Sequence, residues 1–60
     1  MEPLLNVREA AGLLGIKPAT LYQYVWRRQV PFTKLEGALR FRPEALRAWV
    51  EERTVAPRPR

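Results

Sequence analysis

The chain has 60 residues, with eleven basic and six acidic side chains, a net charge of +5, and neither histidine nor cysteine. All six acids are glutamate, so disulfides, thiolate metal sites and nucleophile–histidine pairs lack their side chains, and the inventory argues against an enzyme. A chain this short buries only about 60% of its unfolded surface, so it reads as one small domain whose positive charge favours a polyanionic partner, nucleic acid before an anionic membrane.

The first element is marked by Asn6-Val7-Arg8-Glu9, which has the pattern of a capping box. The Asn6 side chain is placed to accept the Glu9 amide hydrogen, while Glu9 reaches back to the amide of Asn6. Leu5 precedes the cap as a hydrophobic staple. Val7, Ala10, Ala11 and Leu14 then share one face at helical spacing. Gly15 suits a left-handed C-terminal position, so the first helix is predicted over residues 7–14. It is too short to be stable without packing.

Ile16-Lys17 is a tight connection, and Pro18 fits the first position of a second helix, where its missing N–H costs nothing. This helix is predicted over residues 18–28. Leu21, Tyr24 and Val25 form its inward face. Ala19, Thr20, Gln23 and Arg27 lie opposite, with Tyr22 and Trp26 flanking them.

Two short strands follow, predicted over residues 32–35 and 39–42, with Glu36-Gly37 between them. Gly37 supplies the positive φ of a tight hairpin. The alternation points Phe32 and either Leu39 or Phe41 to the core, with Lys34, Arg40 and Arg42 pointing away. A third helix starts at Arg42-Pro43-Glu44, where a proline and an acid favour a helix N-terminus. Leu46, Trp49 and Val50 form its apolar stripe, and it fades near Arg53. Residues 1–53 are thus one domain. The Pro/Arg tail, 54–60, is expected to be disordered when free, whether it follows phosphates on a partner or is only solvated.

No apolar run approaches the roughly 20 residues of a membrane span. The start, Met1-Glu2-Pro3, lacks the basic and apolar segments of a signal peptide. The expectation is a soluble cytoplasmic protein associated with the nucleoid.

Helix, tight turn, helix is an arrangement in which the second helix can enter a major groove; a basic hairpin after it adds a wing. The stretches "LLNVREAAGLLGI", "ATLYQYV" and "VPFTKLEGALRFRPEALRAWV" occur in that order. On these residues the chain resembles the excisionase-type helix-turn-helix family, related to the DNA-binding domain of MerR regulators. The resemblance covers about residues 4–50. It implies a small, mostly α winged helix-turn-helix of order α-turn-α-β-β-α, and binding to double-stranded DNA without a cofactor.

Three positions depart from the family pattern. Lys17 stands where serine or threonine usually caps the second helix. Arg28 fills a place often held by glycine. The wing tip is Glu36-Gly37-Ala38 rather than Gly-Gly, and a carboxylate there would be repelled by phosphate, which argues against deep insertion of the wing.

On this reading Gln23 is the candidate for bidentate pairing with adenine, Ala19 and Thr20 for contact with a thymine methyl, and Arg27 for guanine or phosphate. Lys34, Arg40 and Arg42 are phosphate candidates on the hairpin, joined by Lys17 and Arg8 near helix N-termini. Tyr22 carries over from the family as a DNA-facing aromatic, with packing against the first helix as the alternative. Trp26 either packs on Tyr22 and the base of the wing or is exposed and marks a protein partner, such as recombination, polymerase or phage packaging machinery. A domain this small covers few base pairs, so self-association or side-by-side binding on DNA repeats is expected.

Overall fold

A computed structural model describes residues 3–57. Its elements run α1 (Val7–Leu14), α2 (Pro18–Trp26), β1 (Thr33–Leu35), β2 (Ala38–Arg40) and α3 (Pro43–Arg53). The small mostly helical fold and its α-α-β-β-α order match the winged helix-turn-helix expected from the sequence.

The capping box forms as read. The Glu9 amide donates to Asn6 Oδ1 over 2.8 Å, and the Asn6 amide donates to Glu9 Oε1 over 3.0 Å. At the other end Gly15 takes φ 70°, and the Gly15 and Ile16 amides close a Schellman motif on the Gly12 and Ala11 carbonyls. Ala10 and Ala11 are the buried residues of α1. Their small side chains let α2 approach closely.

The second helix ends earlier than residue 28. Arg27 is its C-cap, and Arg28 turns left-handed at φ 54°. The Arg28 and Gln29 amides then donate to the Val25 and Tyr24 carbonyls, a second Schellman motif. Arginine thus occupies a position that glycine fills without steric cost.

The two strands pair antiparallel with Thr33 opposite Arg40, Lys34 opposite Leu39 and Leu35 opposite Ala38. Glu36 and Gly37 both have positive φ, 48° and 85°, as a type I′ turn requires. Each strand is one residue or more shorter than its predicted span. Phe41 leaves the hairpin to form an isolated bridge with Leu5: each amide donates to the other's carbonyl, over 2.8 and 2.9 Å. This bridge fastens the wing to the lead-in of α1.

Phe41, Leu21 and Leu46 are the largest fully buried side chains, one each from the wing, α2 and α3. Ala10, Ala11 and Val30 complete the core, with Leu39 and Trp49 packed against it. Two expectations are corrected here. Phe32 is 36% exposed rather than inward, because Phe41 already fills the space beneath the hairpin. Val50 is exposed as well, leaving Leu46 and Trp49 to hold α3. The Trp49 indole N–H donates to the Gln29 carbonyl, its ring meets Tyr24 at 5.8 Å, and the Arg53 guanidinium lies 4.4 Å above it. The loop after α2 is therefore tied to α3.

Thr54 caps α3 by donating its hydroxyl to the Val50 carbonyl, and residues 55–57 are exposed without regular structure. The rest of the predicted disordered tail, residues 58–60, lies outside the described residues. No helix among the described residues is long and apolar enough to cross a membrane.

Two substitutions test the local account in opposite directions. Asn6→Ala removes half of the capping box and should cost about 1 kcal/mol. Arg28→Gly relieves a left-handed arginine at the expense of a freer unfolded chain, so a net gain of up to about 1 kcal/mol is expected. Thermal unfolding of both variants measures the two shifts, and a loss in Arg28→Gly would contradict the second.

Candidate nucleic-acid interface

The orientation of α2 is set by Leu21, which is fully buried. A helix turns about 100° per residue, so positions two before and two after Leu21 face nearly the opposite way. These are Ala19 and Gln23, and both are exposed. Thr20 is half-buried at the edge of this face, and Arg27 is exposed where the helix ends.

Tyr22, Gln23, Trp26 and Arg27 line one shallow concavity on the outer surface of α2. Tyr22 is 48% exposed, so it is a rim residue rather than one packed away against α1. Trp26 is 86% exposed. It does not pack on the base of the wing, which corrects the first of the two readings given for it. The structure therefore brings four of the candidates together on one helical surface, with Ala19 on the same side.

Lys17, at the N-cap of α2, is exposed and makes no side-chain capping bond. The first-turn amides of α2 consequently have no side-chain acceptor at that cap. Arg8 stands exposed on the first turn of α1.

The hairpin candidates do not form a single row. Lys34 sits opposite Leu39 and shares its face, while Arg40 sits opposite Thr33 on the other face. Lys34, Arg40 and Arg42 were expected to point away together, and the observed register separates Lys34 from Arg40. The Arg40 guanidinium is half-buried and donates from Nη1 to the Leu39 carbonyl over 2.7 Å, which fixes its direction. Arg42 is exposed at the N-cap of α3. None of Arg8, Lys17, Arg27, Lys34 and Arg42 has an ion-pair partner among the described residues.

Charge is segregated along the chain. No acidic residue occurs between Glu9 and Glu36, a stretch that contains all of α2 and the cations Lys17, Arg27, Arg28 and Lys34. Glu9 is spent in the capping box, and Glu44, Glu51 and Glu52 all stand on α3. The α2 segment itself, its two caps included, carries no acid, so its own charges are all positive. Arg28 is a further exposed cation at this end of α2 that side-chain patterning alone did not select. Its adjacency to Arg27 was the available signal.

Such an arrangement offers an exposed helix with amide, hydroxyl, guanidinium and aromatic groups, flanked by free cations. It provides hydrogen-bonding groups for base edges and positive charge for phosphates. No group of three or more potential metal ligands occurs among the described residues.

Comparison with known proteins agrees with this geometry. The family pattern described as a helix-turn-helix domain matches residues 4–54, from the residue before the Leu5–Phe41 bridge to the C-cap of α3. No curated protein and no solved structure matched the chain. The matched span holds both helices of the motif, the hairpin and the third helix, and the chain belongs to the helix-turn-helix domain family, whose partner is DNA.

Proposed function

We propose that the domain reads a specific double-stranded DNA sequence without a cofactor, as a small transcriptional regulator or an excisionase-like architectural factor. The observation that carries this reading is the outer face of α2, which carries no acid and brings Gln23 and Arg27 together with two exposed aromatics in one shallow concavity. An α-helix with its side chains is about 10–12 Å across, which the roughly 12 Å major groove of B-DNA admits. In this docking Gln23 pairs with a base, Ala19 and Thr20 meet a thymine methyl, and Arg27 contacts guanine or phosphate. Lys17, Arg42, Arg8, Arg27 and one of the two hairpin cations, Lys34 or Arg40, which lie on opposite faces, supply phosphate contacts, which give position rather than sequence.

The domain acts by binding, with no catalytic step, in the cytoplasm and on the nucleoid. Because one copy covers few base pairs, adjacent copies bind neighbouring repeats. Titration of the protein onto its selected duplex should saturate above one copy per site. Saturation at one copy would contradict side-by-side binding.

About five phosphate contacts give a slope of log affinity against log salt near −4 to −5. Fluorescence anisotropy of a labelled duplex over a salt series measures this. Gln23→Ala should lose discrimination against mismatched sites at its base pair, by about 1–3 kcal/mol. Arg42→Ala should weaken all duplexes alike and reduce the salt slope by about one. Identical effects of the two substitutions would rule out this docking.

A further inference from the structure

Trp26 is 86% exposed, yet it belongs to the last turn of a helix that is anchored in the core by Leu21. It is not a core residue at the edge of its burial. At about 100° per residue it stands about 140° from Leu21, well inside the outer face. It lies three residues beyond Gln23 and lines the same concavity. Three residues of helix correspond to about 4.5 Å along the axis. Any surface that meets Gln23 therefore meets the indole as well, and one occupant covers both.

We infer that Trp26 is itself a DNA-contacting residue. Its ring packs on the deoxyribose wall of the major groove, and its Nε1–H donates to a phosphate oxygen. The inference rests on the docking of α2 proposed above and extends it to a residue whose chemistry is neither basic nor amide. Charge complementarity identifies the occupant as a polyanion: Arg27 lines the concavity with the indole, Arg28 follows it in the chain, and α2 itself carries no acid. The shape of the indole suits the role. It is an apolar plate with one donor at its edge, and the groove wall offers apolar sugar edges between phosphate acceptors. The second tryptophan, Trp49, is half-buried, with its donor already engaged by the Gln29 carbonyl. The two indoles are therefore separable by solvent access.

Acrylamide quenching of tryptophan emission tests this on the full chain, with a labelled pool of about 20-bp random-sequence duplexes at low salt as the probe. Trp26→Phe reports Trp49 alone, and the substitution lies on the exposed surface, so folding is kept. In the free wild-type chain Trp26 should dominate quenching. At saturating duplex, the wild-type quenching constant should fall to the level of Trp26→Phe, and Trp26→Ala should bind the pool about tenfold more weakly. If the wild-type chain binds the duplex while its quenching stays high, or if Trp26→Ala binds as tightly as wild type, the inference is overturned and the indole is left free for a protein partner. If the wild-type chain retains no duplex at all, anisotropy shows it directly, and the docking proposal falls together with the inference.

Discussion

Phe41, Leu21 and Leu46 meet in the centre of the molecule, each fully buried and each from a different element. This contact sets the geometry of everything outside it. Leu21 fixes the rotation of α2, so Ala19, Gln23 and Trp26 must face away. Phe41 draws the root of the wing beneath the sheet, and its paired hydrogen bonds with Leu5 hold that root to the start of α1. Leu46 carries α3 and, through Trp49, the loop after α2. A core in a domain this small rarely supplies more than about 3–5 kcal/mol of net stability. Loss of one large aromatic core side chain costs a similar amount. There is little redundancy, and the orientation of the outer helix depends on a handful of side chains.

The ends of α2 show where local stability has been given up. Its N-cap is Lys17, which cannot accept a hydrogen bond from the first-turn amides and places a positive charge beside the positive end of the helix dipole. Its C-terminal turn passes through Arg28 in a conformation that favours glycine. Both departures place a cation at an end of the same helix. Sequences tend to break local rules where function competes with folding. Arg42 at the uncapped start of α3 and Glu36 at φ 48° are two further departures, while the capping box, the Gly15 turn, Pro18 and Pro43 at helix starts, and Gly37 in the hairpin agree with the fold.

Much of this was legible from single residues. The bounds of α1 followed from Asn6, Glu9 and Gly15, and the start of α2 from Pro18, because each of those side chains fits few backbone conformations. The end of α2 was not legible, since nothing in the arginine side chain signals a left-handed backbone, and the turn is held from outside the helix by the burial of Val30 and the bond from Trp49 to the Gln29 carbonyl. The strands have three residues each, too few for alternation to fix which side faces in. Leu39 and Phe41 were therefore left as alternatives for the inward position, Phe32 was placed inward when it is exposed, and Lys34 and Arg40 were assigned to one face when the register separates them. Trp26 was legible in principle: its angular distance from Leu21 follows from the sequence and already favours the exposed one of the two readings given for it. The family resemblance was carried by ordered elements rather than by any one site residue, which explains why the fold was clearer than the contacts.

On the proposed docking the outer face of α2 and the cations of the hairpin contact DNA, and the exposed surface of α3 around Glu51 and Glu52 does not. Backbone amide shifts of the uniformly labelled protein, followed while a selected duplex is titrated in, test it most directly. The account predicts changes concentrated at residues 17–28 and 34–42, with the exposed surface of α3 around Glu51 and Glu52 unaffected. Changes centred on α3, with α2 unmoved at saturation, would contradict it.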